Sequence, residues 1–245
     1  MVTLEKHENS FVVYRDQCSI GTVALHDDPY HMRNCYLELD FSSYPEEISR
    51  ELFWQIVQEV NRPLQVMISS EELEQIAFLE AGGFSCKRKC YEVEAVMSEL
   101  IIPSKESEGL LCQCVRGSKA YTQCCKLIYD AYIQNHAAIN PWSAGFDIFC
   151  EKLPDHVLYT EQNGEISELA FVEGNEIAYV YGNKSDRFHS FTTSLVFQLF
   201  EQYETICFES DNCDWAAMAL RALFANQSEE SYDTYVLGLP QRRIQ

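Results

Sequence analysis

The chain of 245 residues has no stretch of about 18 consecutive apolar residues, so no membrane-spanning helix is expected. The opening residues, Met1-Val-Thr-Leu-Glu-Lys-His-Glu8, lack the apolar centre of a secretory leader. Positive charge is scarce: 18 Lys and Arg stand against 38 Asp and Glu, a formal charge of −20. A surface with that balance repels phosphate backbones and anionic lipid, which argues against nucleic-acid and membrane partners. The P-loop, the dinucleotide fingerprint and the Gly-x-Ser-x-Gly elbow are also missing. There are eleven cysteines but no Cys-x-x-Cys and no histidine at zinc-finger spacing, so no metal is expected. Their odd number and their place inside apolar segments argue against a disulfide framework. They read as packed thiols of a reduced, cytoplasmic protein.

What is present is a repeat. Val12–Gln17 and Ser19–Leu25 read as two strands joined by a tight turn, and so do Val157–Gln162 and Glu165–Phe171, around Asn163-Gly164. A third strand follows in each copy, Asn34–Phe41 and Glu176–Tyr181. Then comes a helix with one apolar stripe: Leu52, Phe53, Ile56, Val57 and Val60 match Leu195, Val196, Leu199, Phe200 and Tyr203 at a constant offset. Strands Leu64–Ile68 and Thr205–Phe208, helices Glu71–Ala81 and Cys213–Leu223, and strands Cys86–Glu94 and Tyr232–Leu237 complete the copies. The polar, breaker-rich Pro103–Gly109 separates them. The second copy opens with a strand at Leu110–Val115, a helix over Ser118–Gln134 and a short helix over Phe146–Leu153. The first has no counterpart of these two helices. The order predicts α+β or α/β domains with mixed sheets: 1–100, a linker at 101–109, and 110–245.

In Phe78-Leu-Glu-Ala-Gly-Gly-Phe84, followed by Lys87-Arg-Lys-Cys-Tyr-Glu-Val93, a helix runs into Gly-Phe and then a strand. Together with the element order over nearly the whole chain, this resembles the GNAT superfamily of N-acetyltransferases. The resemblance implies a tandem of two GNAT-like mixed β-sheet domains with flanking helices, the first truncated and structural. It implies acetyl-CoA as co-substrate, a small-molecule primary amine as acceptor, and direct attack in a ternary complex. A non-catalytic acetyltransferase-like protein that binds a ligand or partner is the alternative. Oligomeric state stays open, a homodimer included.

By that resemblance the cofactor lies between Glu176–Gly182 and Thr205–Asn212 of the second copy, touching Tyr179, Val180, Tyr181 and Asn212. The family's pyrophosphate loop, Arg/Gln-x-x-Gly-x-Gly/Ala, falls on Arg187-Phe-His-Ser190-Phe191-Thr192, with Ser190 and Thr192 in place of the glycines. Ser and Thr are also ordinary residues at a helix start. Glu209 and Tyr181 are the candidate proton relays. The first copy has Tyr44-Pro-Glu46-Glu47-Ile-Ser49 at the corresponding place, where two carboxylates would compete with phosphate. The Tyr that many members carry on the last helix is Leu79 here and Leu220 in the second copy, and neither can donate a proton.

Overall fold

The computed structural model describes residues 2–101, 111–182 and 186–239. Residues 102–109 of the expected linker and the first residue of the strand predicted after it lie outside them. The chain forms two compact units. One comprises Met1–Lys89, His136–Ala144 and Glu230–Gln245; the other comprises Cys90–Asn135 and Gly145–Glu229. The units therefore differ in composition from the sequence copies, each holding a terminal strand that follows the other copy in sequence.

In the first unit β1 (Val2–Lys6), β2 (Ser10–Arg15), β3 (Cys18–His26) and β4 (Cys35–Phe41) form an antiparallel meander. β4 meets β5 (Leu64–Ser69) in parallel. The connection between them is α1 (Glu46–Val60), which buries Ile48, Ser49, Leu52, Phe53, Ile56 and Val57, one stripe at helical spacing. It stops at Asn61, whose φ of 52° is left-handed and whose N–H returns to Val57 O. α2 (Leu73–Ala81) follows β5 and ends at Gly83, φ 97°. Gly83 is thus left-handed, a conformation glycine adopts without strain. Its neighbour Gly82 serves a different end, because a Cβ there would come within 2.5 Å of the Phe53 ring and 2.6 Å of Ser49 Oγ. The sequence reading missed β1, a short strand paired with β2.

β12 (Tyr232–Leu237) runs antiparallel to β5 over six residues and neighbours β6 (Ser85–Val96). Asp233, Thr234, Tyr235 and Val236 are buried. Asp233 takes the Ser231 hydroxyl at 2.6 Å and an ion pair from Lys89 at 3.4 Å. His136–Ala144 folds in the same unit. Asn34 donates to Ile139 O at 3.0 Å, Asn140 donates to Gln65 Oε1 at 3.2 Å, and Trp142 stacks on Tyr30 with centroids 5.0 Å apart.

In the second unit the strand order is β6, β11 (Thr205–Asp211), β10 (Glu176–Tyr181), β9 (Glu165–Glu173), β8 (His156–Gln162), β7 (Cys112–Val115). Among the described residues of this unit only β10 and β11 pair in parallel; β6 contributes its Cys90–Val96 half, antiparallel to β11. α3 (Lys119–His136, all but its last residue in this unit) and α4 (Phe146–Lys152) precede β8, and α5 (Asp186–Phe200) connects β10 to β11. α6 (Trp215–Arg221) is capped by Asp214, whose carboxylate accepts from Ala216 N at 2.8 Å and Ala217 N at 3.3 Å. Asp214→Ala is expected to cost about 1 kcal/mol, read as a lower urea midpoint at unchanged slope.

All eleven cysteines are free thiols. Cys35, Cys90, Cys124 and Cys125 are buried, and only Cys18 and Cys112 are exposed. Burial, then the neighbouring Cys150, pushes the Cys125 thiol up to about 12. Among the described residues no helix is long and apolar enough to cross a membrane.

Candidate functional site

Each unit has one place where two parallel strands begin together and then part. In the second unit β10 and β11 are in register only at Glu176 and Cys207. On its other side β10 pairs with β9, but the register shifts: Ile177 faces Val172 and Tyr179 faces Phe171, leaving Ala178 as an extra residue. A bulge of this kind bends its strand and ends regular pairing. Beyond it, Tyr179–Tyr181 have no ladder partner on the β11 side, which leaves an edge able to receive an extended ligand.

Val180 points into the core formed with α5. Tyr179 lies on the aromatic side of the strand, its ring centroid 6.4 Å from Tyr132 and 6.1 Å from Phe149. Burial first, then the carboxylates of Glu209, Asp211 and Glu176, hold its hydroxyl above the ordinary tyrosine range. The group stays protonated at neutral pH and can donate a hydrogen bond. Tyr181 is half-buried opposite Leu169. Glu209 is exposed on β11, and its carboxylate accepts the Cys90 thiol at 3.7 Å. Asn212 is exposed just past the end of β11. Tyr132 and Phe149 were legible only as core aromatics, since nothing in their spacing marks a site.

The segment Arg187–Thr192 is the main difference from expectation. It lies within α5, not ahead of it. Leu195 is nine residues from the start of its helix, whereas the matching Leu52 is six from the start of α1. The reason is the apolar stripe, which extends backward through Phe188 and Phe191, both buried with Leu195, Val196 and Leu199. Phe188 sits against Gly182, where a Cβ would come within 2.1 Å of its ring. Thr192 is buried, and its hydroxyl donates to Phe188 O at 2.9 Å and to His189 O at 3.1 Å. Thr193 donates likewise to His189 O, at 2.7 Å. The side chains of Phe191 and Thr192 are thus spent on packing and helix back-bonding. Ser190 and Arg187 are exposed, and Arg187 stands in the first turn, where backbone N–H groups lack helical acceptors. The stripe also ends early: Tyr203 lies beyond α5 and is 36% exposed.

In the first unit β4 and β5 pair only at Cys35–Leu64 and Tyr36–Gln65, then part. β3 and β4 keep an unbroken register, without a bulge. α1 starts with Glu46 and Glu47, has no side-chain cap, and ties Glu47 to Arg15 at 2.8 Å. The Glu47 carboxyl is held below its ordinary range by its own backbone N–H and then by Arg15. An anionic group arriving at this helix start meets two carboxylates. Leu79 and Leu220 are both core residues.

No protein-family model matches the sequence, and no curated protein matches it. Among solved structures the chain is similar to a GCN5-related N-acetyltransferase from Sphaerobacter thermophilus, with TM-score 0.55 at 12% identity over 96% of this chain and 82% of that one. It is also similar to a probable N-acyltransferase from Enterococcus faecalis V583, with TM-score 0.51 at 10% identity over 94% of this chain and 61% of that one. A tandem GNAT protein from the clavulanic acid biosynthesis pathway covers 97% of this chain at TM-score 0.46 and 12% identity, 83% of its own length being matched. At such identities the likeness is one of fold, and the fold is that of the GCN5-related N-acetyltransferases.

Proposed function

We propose that the chain is an acetyl-CoA-dependent N-acetyltransferase working through its second copy. The observation that carries this reading is the bulge at Ala178 together with the parting of β10 from β11. The second copy combines that opened edge with a helix start bearing Arg187, whereas the first copy lacks the bulge and has carboxylates at its helix start. Acetyl-CoA supplies the acyl group. The free backbone edge of Tyr179–Tyr181 would hold its extended arm like an added strand. The first turn of α5 and the Arg187 guanidinium would face its pyrophosphate, where helix N–H groups and positive charge favour an anion.

The acceptor on this reading is a primary amine. Glu176, Glu209 and Asp211, the carboxylates that act on Tyr179, favour a cationic one. On this reading Glu209 and Tyr181 would pass the proton of the attacking amine to solvent through water. The protonated Tyr179 is a hydrogen-bond donor at the same opening. A second reading, a ligand-binding protein without catalysis, draws on Leu220. It is buried at the position where many members carry a tyrosine, so no side chain there can protonate a leaving thiolate.

Calorimetry with acetyl-CoA on the wild type and on Arg187→Glu tests the proposal. The expected result is micromolar binding, weakened at least about tenfold by the reversal, or ~1.4 kcal/mol. Absence of binding at hundreds of micromolar cofactor would sink the enzyme. Binding without turnover across an amine panel would favour the second reading.

A further inference from the structure

The first unit keeps its inter-strand opening although its helix start turns away phosphate. β3 bonds one side of β4 throughout, and β12 bonds one side of β5 throughout. On the sides that face each other, pairing ends after Tyr36 and Gln65. The gap is a cleft of about 680 Å³ bordered by both strands. Such an edge offers N–H and C=O groups in alternation, Leu39 O also accepting the Tyr44 hydroxyl at 3.4 Å, so it selects a ligand that also alternates donors and acceptors, namely an extended peptide backbone. At ~3.3 Å per residue the free part of β4 accommodates about five residues.

The charge of the cleft then selects the side chains. Asp27 and Asp28 stand at the closed end, because His26 is paired with Tyr36. Glu38 lies midway on β4, and Glu72 lies past the far end of β5. Among the described residues no Lys or Arg lines the cleft. Arg62 neutralises Asp27 from outside at 2.5 Å, and His26 approaches Glu38 at 3.2 Å. Glu38 and Glu72 are both exposed to an incoming ligand. Alternation along β4 puts Tyr36 and Glu38 on one face and buried Leu37 and Leu39 on the other, so a bound strand would present every second side chain to carboxylates.

We infer that the cleft between β4 and β5 of the first unit binds an extended, lysine- or arginine-bearing peptide segment of another protein by strand addition. Charge complementarity argues for this occupant, and the open backbone edges argue for its conformation. The inference is independent of whether the second unit binds acetyl-CoA.

A blocked hexapeptide of alternating valine and lysine is the probe, titrated into the full chain by calorimetry and followed by amide hydrogen exchange. Saturable binding is expected, with slowed exchange at the alternate amides that face the cleft, Leu37, Leu39 and Phe41 on β4 and Met67 on β5. Glu38→Gln with Glu72→Gln should weaken it at least tenfold. Glu8→Gln with Glu59→Gln, an equal charge change outside the cleft, should leave it within twofold. A proline in place of the central valine should cost another tenfold, since strand addition needs that N–H. Equal affinity for the proline peptide, or an equal response to both variant pairs, would mean diffuse attraction to an acidic protein and overturn the inference. So would no binding at millimolar peptide. Protection of the same amides by coenzyme A in place of the peptide would make the cleft a nucleotide site and overturn it as well.

Discussion

A chain ended after Glu229 is expected to lose the cooperative folding of its first unit. β12 supplies that unit with a six-residue antiparallel partner for β5 and with four buried side chains. Its removal exposes β5 to solvent along a whole edge and opens the core beside Leu64, Val66 and Ile68. It also removes the Lys89–Asp233 ion pair and the bond from the Ser70 backbone N–H to Ser231 O at 2.8 Å. Domains are stable by only about 5–15 kcal/mol, and loss of an interior strand removes more than that margin. The measurement is chemical denaturation followed by hydrogen exchange. In the truncated chain the amides of β2–β5 should exchange without protection. Adding residues 230–239 as a separate peptide should restore protection in a concentration-dependent way. The milder Tyr235→Ala should lower stability by about 3 kcal/mol while the fold is retained. Native-like protection in the truncated chain would show that β12 is dispensable.

Phe78→Ala should have the next largest effect, about 4 kcal/mol, the range for deleting a buried aromatic ring. Phe78 is fully buried, and its ring meets Phe41 at 5.6 Å, Tyr44 at 5.5 Å and Phe53 at 5.4 Å. Phe53 has little freedom to move into the space, because it is already packed against Phe84 at 4.8 Å and lies close against Gly82. Ser49 also donates its hydroxyl to Phe78 O, so collapse of the backbone toward the cavity would break a buried hydrogen bond. Phe78→Leu refills most of the volume and should cost about half as much. Guanidinium titration of both variants decides the matter. A cost for alanine below about 1 kcal/mol would mean the ring cluster is not the centre of this core.

Much of the fold was legible because it depends on local periodicity. The stripe of Leu52, Phe53, Ile56 and Val57 and that of Leu195, Val196 and Leu199 locate both crossover helices, and Asn163-Gly164 locates a hairpin whose two turn residues have φ of 55° and 81°. The start of α5 was not legible. Phe188 and Phe191 belong to its stripe, but a match to a phosphate-loop pattern takes the same residues out of the helix. What decides between them is the contact of Phe188 with Gly182, which is tertiary. The pairing of β12 with β5 is also beyond sequence periodicity. Alternation in Tyr232–Leu237 says that a strand exists and says nothing of its neighbour. The placement of His136–Ala144 rests on Asn140 and Trp142, single side chains with no repeat to announce them. The bulge at Ala178 likewise has no signature, since Ala is small and neutral between two ordinary strand residues.

The partnership of β5 with β12 also sets a clock on biosynthesis. Ser70 and Ser231, which hydrogen-bond to each other, are 161 residues apart. At roughly 5–20 residues per second, the ribosome leaves β5 without its partner for about ten seconds or more. During that interval the emerging amino-terminal half carries an apolar strand edge with two open sides, since β4 covers only its first two residues. Such an edge is a template for pairing with other nascent chains. Demand for a holding chaperone should therefore fall on the early half of the chain and end only when Tyr232–Leu237 has cleared the exit tunnel.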